Sequence, residues 1–207
     1  MDTVSISCLA LAHIGMKPIT SMSGTDPSSL ACTRYFEPCR NEVFRDFKWP
    51  FALFKGTLST ATELDSDDII DWTYFYYYPS SAAMVWNVYN EATTATKDEQ
   101  DYEIIYWYAF ETLSASHARQ VICTDLSDAY VEYTYKVQDP ARWDDKFVMA
   151  FSYRLAAAIA KELTGDDDKA LKMGQAYSLM IHDCKRLAQH EKKKKPPKTS
   201  AYVNARG

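Results

Sequence analysis

The side chains best suited to chemistry in this 207-residue chain are four histidines, five cysteines and two short runs of aspartate. Their spacing argues against most of that chemistry. His13, His117, His182 and His190 form no HExxH or HxH pair that would place two imidazoles on one metal. His182 and His190 stand eight residues apart on one predicted helix, too far for a shared site, so solvated or interface roles suit them better. Cys8, Cys32, Cys39, Cys123 and Cys184 are odd in number and widely spaced, with no CxxC and no Cys/His pattern that suits zinc. Most fall at apolar helix positions, which predicts buried free thiols in a reducing compartment. No GxSxG elbow occurs, no cysteine or serine has a base signalled beside it, and the six glycines do not cluster into a phosphate loop.

The charged runs have plain explanations. Asp65, Asp67, Asp68 and Asp71 lack the glycine and terminal glutamate of a calcium-binding EF-hand loop and read as a solvated connection. Asp166, Asp167 and Asp168 fall at a predicted helix start, where unpaired amides and the helix dipole favour negative charge. From Gln189 onward five lysines and one arginine oppose one glutamate, so this tail carries +5 and the remaining body about −10 of the net −5. An acidic body is a poor general partner for nucleic acid, whose phosphates need cations that displace counterions. A lysine run of this kind is a solvated end or a partner-binding tail. No metal and no cofactor are expected, and an enzyme is disfavoured.

Composition places the chain among globular proteins, with 47% hydrophobic and 25% charged residues. Fifteen tyrosines lift the aromatic share to 14%, which suits an aromatic-rich β core or half-buried sheets and subunit interfaces. The opening residues are acidic rather than basic, unlike a secretory signal, and no apolar run approaches the roughly 20 residues that span a bilayer. Synthesis and folding in the cytoplasm are therefore expected.

Four helices are expected to position these groups. The clearest covers residues 139–163: Asp139 is an N-cap, Pro140 takes the first helical position, and Phe147, Phe151, Leu155 and Ile159 recur every four residues. Gly165 is the expected left-handed stop. The alanines at 156–158 and 160 let another backbone approach, within the bundle or between subunits. The last helix carries Ala170, Met173, Tyr177, Met180, Cys184 and Leu187 in three-four steps, a narrow seam for packing along the preceding helix in an antiparallel hairpin. Phe147, Phe151, Leu155, Ile159, Met173, Tyr177, Met180 and Leu187 are accordingly the candidate bundle or subunit packing residues. A first helix over 3–15 is expected to face inward with Val4, Cys8, Leu11 and Ile14. A second, capped by Ser28 or Ser29 and running to about Lys48, buries Cys32, Tyr35, Phe36, Cys39, Val43 and Phe47 and is kinked or restarted at Pro38.

Residues 51–138 are of strand character. Strands are expected near 53–60, 72–78, 84–89, 102–108 and 120–124, with a last one over 130–137 whose alternation leads straight into the helix at 139. The polar stretch 90–101 separates two of them. The fold class is α+β: a helical bundle from residues 1–50 and 139–192, an inserted antiparallel β region or open barrel over 51–138, and an extended tail over 193–207.

The order of particular motifs carries a family resemblance. A helix ending in Arg40, Phe44 and Trp49-Pro50-Phe51-Ala52 is followed by Trp72-Thr-Tyr-Phe-Tyr-Tyr-Tyr-Pro79. Then come Val131-Glu-Tyr-Thr-Tyr-Lys-Val-Gln-Asp-Pro140, Phe147 and Leu155-Ala-Ala-Ala-Ile-Ala-Lys-Glu-Leu163. Together, over nearly the whole chain, these resemble the head-to-tail adaptors of short-tailed bacteriophages, also called tail tubular protein A or gatekeeper proteins. The resemblance implies a homo-oligomeric ring of about twelve copies docked under the portal protein at the head–tail junction of the virion, assembled in the host bacterial cytoplasm. Genomic DNA would pass through its channel without sequence-specific binding, a tail nozzle or tail tubular protein B-like component would attach below, and no membrane would be involved. It also implies that the last helix and tail dock on the portal, which falls here on Lys192, Lys193, Lys194, Lys195, Lys198, Tyr202, Val203 and Arg206. Residues 90–101 have no counterpart in the family. An acidic lumen would let DNA slide by like-charge repulsion. Two other readings compete: a DNA-binding or packaging accessory protein acting through the basic tail, and a hydrolase with an unrecognised site in the β region.

Overall fold

The computed structural model describes residues 1–61, 72–90, 108–114 and 117–191. Among them the fold is α+β, with four α-helices and six strands. Helix α1 (Thr3–His13) is capped by Asp2, whose carboxylate accepts from Ser5 N at 2.8 Å. Its sequence is apolar nearly all round, so periodicity selects no face. The buried face is Ile6, Ser7, Ala10, Leu11 and Ile14, while the expected Val4 and Cys8 lie at its margins, partly buried.

Helix α2 (Pro27–Asp46) is capped two residues before Ser28 and three before Ser29, the expected caps, by Asp26, which accepts from both the amide and the hydroxyl of Ser29. Pro27 then occupies the first helical position, where its missing N–H is not needed. The helix runs through Pro38 without restarting.

The stretch expected to begin the third helix is divided. Asp139 and Pro140 cap only a 3-10 turn, Pro140–Arg142, and Trp143 is extended. Trp143 is buried and its Nε1 donates to Val137 O at 3.0 Å, which pulls the backbone out of helical geometry. Asp144 caps the helix proper, α3 (Asp145–Thr164). The final strand therefore does not lead straight into it. Gly165 ends α3 with φ +68°, as the sequence implied, and its N–H returns to Lys161 O. Two residues later α4 (Asp167–Glu191) begins, with Asp166 accepting from the amides of Asp168 and Lys169.

Helix α3 packs against each of the other three helices and is the centre of the bundle. Phe147, Ala150, Phe151, Leu155, Ala156, Ile159 and Ala160 on it are fully buried. Around its first turns gather Phe36, Phe44, Trp49, Phe51, Trp143 and Phe147, mostly edge to face at centroid distances of 4.4 to 6.2 Å. One continuous core thus joins residues from both ends of the chain.

The strands form two antiparallel three-stranded sheets. One has the order β1 (Leu53–Thr57), β6 (Tyr130–Tyr135), β3 (Ala82–Tyr89); the other β2 (Tyr74–Tyr77), β5 (His117–Thr124), β4 (Tyr108–Ser114). Of the strand expected over 102–108, residues 102–107 lie outside the described residues, and β4 runs beyond it. The polar stretch 91–101, the acidic residues 65–71 and the tail after 191 also lie outside them. A single run, 53–61, belongs to both sheets. Its first half pairs with β6, ending at Leu58 N to Ala129 O. Its second half pairs with β2, through Tyr77 N to Ser59 O and Ala61 N to Phe75 O. The strands therefore follow the order β3, β6, 53–61, β2, β5, β4, curled so that Tyr76 and Ile122 meet Val85, Val88, Val131 and Tyr133 in a second core. Tyr76 secures the bend, its hydroxyl donating to Leu126 O and accepting from Ala129 N.

Lys48 joins bundle to sheet. It pairs with Glu132 at 3.4 Å and lies over the Trp86 ring at 5.5 Å, while Asn87 donates to the other oxygen of Glu132.

Candidate functional site

Among the described residues, three places bear most directly on function. The first links three helices. Arg154 on α3 pairs with Glu42 on α2 at 2.7 Å, and the Tyr177 hydroxyl on α4 donates to Asp46 Oδ2 on α2. Burial, reinforced by Asp46 and Glu42, pushes the Tyr177 phenol far above its ordinary value, so it stays protonated. The hydrogen bond to Glu42 holds the Arg154 guanidinium charged. Cys39 lies against this network with its thiol pushed up to about 11 by burial. Each group has another as its partner, and none is poised as a nucleophile or base. The arrangement locks the register of α4 on α2 and α3.

The second is a histidine–serine pair that sequence spacing does not signal, since its members are 139 residues apart. His13 Nε2 lies 3.0 Å from Ser152 Oγ, and its ring stacks on Tyr153 at 4.4 Å. Ser152 is fully buried in the middle of α3, and its hydroxyl is hydrogen-bonded to Met149 O at 2.8 Å. A substrate carbonyl has no approach to that oxygen. Desolvation lowers the His13 pKa, which favours a neutral ring that docks the end of α1 on α3.

The third is an open cleft of about 800 Å³ at the mouth of the β region. Phe54, Thr57, Leu58 and Ser59 form one wall and Tyr77, Tyr78, Pro79 and Ser80 the other, over Val131 and Tyr133. The walls part for a reason in the sequence. Run 53–61 and β2 pair as far as Ser59 and Tyr77; Tyr78 still donates to Gln120 O on the β5 side, but Pro79, the next residue that faces run 53–61, has no N–H to continue the ladder. Phe54 is 48% exposed and its ring lies over Gly56, where an added Cβ would stand 2.6 Å from it.

The residues singled out from sequence are distributed as follows. Phe147, Phe151, Leu155 and Ile159 are buried inside this chain's own bundle, as are Ala156 and Ala160. Tyr177 is buried and Met173 and Met180 half-buried on the α3-facing side of α4, but Ile181, outside the expected seam, is buried with them. Leu187 is 39% exposed, because α4 has by then passed the end of the bundle. It lines a smaller cavity of about 210 Å³ with Trp49, Pro50, Phe51 and Cys184. Lys192, Lys193, Lys194, Lys195, Lys198, Tyr202, Val203 and Arg206 lie outside the described residues. All five cysteines are free thiols, four of them buried. His182 is exposed, and the side chains of His117 and His190 are outside the described residues. Among the described residues no three histidine, cysteine, aspartate or glutamate side chains group as metal ligands, and no helix is long and apolar enough to cross a membrane. The sequence matches no protein-family model and no curated protein.

Proposed function

We propose that the chain is a structural virion protein, a head-to-tail adaptor that assembles as a ring under the portal of a short-tailed phage, continues the DNA channel and carries the tail nozzle. The observation that carries this reading is the discontinuous bundle. Residues from 4–52 and from 137–184 share one core, and the β region is inserted between them, as the resembling motifs and their order imply. The polar groups that converge also favour an assembly part over an enzyme. The Tyr177, Asp46, Glu42 and Arg154 network and the His13–Ser152 pair fasten helices to one another. In this reading the end of α4 and the lysine-rich tail meet the portal, and the β region projects toward neighbouring copies or the nozzle.

Electron microscopy of the protein mixed with its portal tests the proposal. A stable ring of roughly twelve copies on the portal is the expected image; a monodisperse monomer that ignores the portal would overturn the assignment. Truncation after Glu191 should leave the far-ultraviolet circular dichroism unchanged and abolish portal association. Retained association would remove the tail from the docking role.

A further inference from the structure

The join between bundle and sheet holds three side chains whose chemistry goes beyond an ion pair. Glu132, on the middle strand of its sheet, stands directly across from Asn87 on β3, so both side chains leave the same face. Lys48, two residues past the end of α2, reaches the same carboxylate from the bundle. Its Nζ lies 3.4 Å from Oε1, and Asn87 Nδ2 lies 3.0 Å from Oε2. A carboxylate only accepts, so the atom that Asn87 turns toward it is the amide nitrogen. One carboxylate therefore touches both the amine and the nitrogen that would depart if this amine attacked Asn87 Cγ.

The surroundings hold the set in place. The Glu132 side chain is 12% exposed. Trp86 Nε1 donates to the buried Thr134 Oγ1 at 2.7 Å, which fixes the indole, and its ring covers Lys48 Nζ at 5.5 Å. On the bundle side Trp49, the next residue after Lys48, is buried and anchored to Val43 O. An amine and a carboxamide held against one shared proton carrier by fixed elements meet the condition under which a slow bimolecular step becomes intramolecular.

We propose that Lys48 and Asn87 join in an intramolecular isopeptide bond, with Glu132 as the proton carrier. The Nζ–Cγ bond forms and the Cγ–Nδ2 bond breaks. The Lys48 ammonium gives up two of its three protons by way of Glu132; the departing Nδ2 takes both and leaves as ammonium. Glu132 ends as it began, and no oxidant or second reactant enters. The product ties the end of α2 to β3 and closes a covalent loop over residues 48–87. It goes beyond the ring assignment without depending on it.

Mass spectrometry of the full chain, folded overnight and then denatured, tests it. The intact mass is expected about 17 Da below that of the sequence, the loss of one ammonia. Tryptic digestion should give a branched peptide joined through Lys48 and Asn87. Asn87→Ala alters an exposed side chain; it should keep the circular dichroism of the parent and show no branched peptide. Glu132→Gln, nearly the same shape, should lower the branched yield at least tenfold at unchanged circular dichroism. A full sequence mass in the parent would overturn the proposal. So would an ammonia loss mapped to a succinimide, or to Lys55, which stands across from Glu132 on β1. An undiminished branched yield in Glu132→Gln would overturn the proton-carrier role. The ring image is a separate measurement, so failure of either leaves the other standing.

Discussion

Trp49 and Trp143 perform the same task at the two junctions between bundle and sheet. Each is buried, and each indole N–H donates to a carbonyl six residues earlier, Val43 or Val137. Between them sit Phe147 and, further along α3, Phe151, which is fully buried against Phe36 and Trp143. Phe151→Ala should cost about 3–5 kcal/mol of stability, the range for emptying a large aromatic site, read from the urea midpoint. Tyr177→Phe removes one hydrogen bond and strands Asp46; a loss of about 1–3 kcal/mol is expected by the same measurement. His13 sets a pH dependence. Its folded pKa lies below the ordinary 6.5, so between those two values the unfolded chain binds a proton that the native chain refuses. Stability contributed by the neutral ring is present above 6.5 and is lost as pH falls toward the folded pKa. His13→Gln should flatten that limb of a stability–pH curve; an unchanged slope would sink the assignment of a neutral, buried ring.

Among the elements, those with a local signal were legible in the sequence. Gly165 ends α3 because only a left-handed residue closes the turn there, and Asp166 caps α4 within two residues of it. The period-four row from Phe147 to Ile159 marked the centre of the core for the same local reason. What escaped depended on distant contacts. α1 is apolar on all sides, so its buried face is chosen by where α3 and Ile19 stand. The start of α3 moved because Trp143 is held by Val137, and the cleft exists because two strands distant in sequence part at Pro79. Pro38 is a separate case: it is exposed, α2 continues through it, and its ring removes one hydrogen bond to Arg34 O. Pro38→Ala should therefore raise the melting temperature, with a gain on the order of 1–3 kcal/mol by calorimetry. A loss would mean that Pro38 shapes α2 for a contact the bundle needs.

At the scale of the molecule, the helical core and the β core are coupled through a short list of contacts around Lys48, Glu132, Trp86 and the Arg40–Gln138 hydrogen bond. Ala83 of β3 also packs on the helical core. Both chain crossings between the regions are buried by the two tryptophans, so one cooperative transition is expected. Near- and far-ultraviolet circular dichroism should melt together in the parent and in Ile122→Ala, which empties the β core alone; separated midpoints would show two independent units. The bundle's discontinuity also sets an order of events at the ribosome. α1 and α2 emerge first with Phe36, Val43 and Phe44 uncovered, and α3, which buries them, follows only after about 100 further residues, roughly 5–20 s of synthesis. For that interval the nascent chain presents an apolar helix pair with nothing of its own to cover it. Its yield in a cell should therefore follow the supply of chaperone that holds such surfaces, more closely than the stability of the finished fold would suggest.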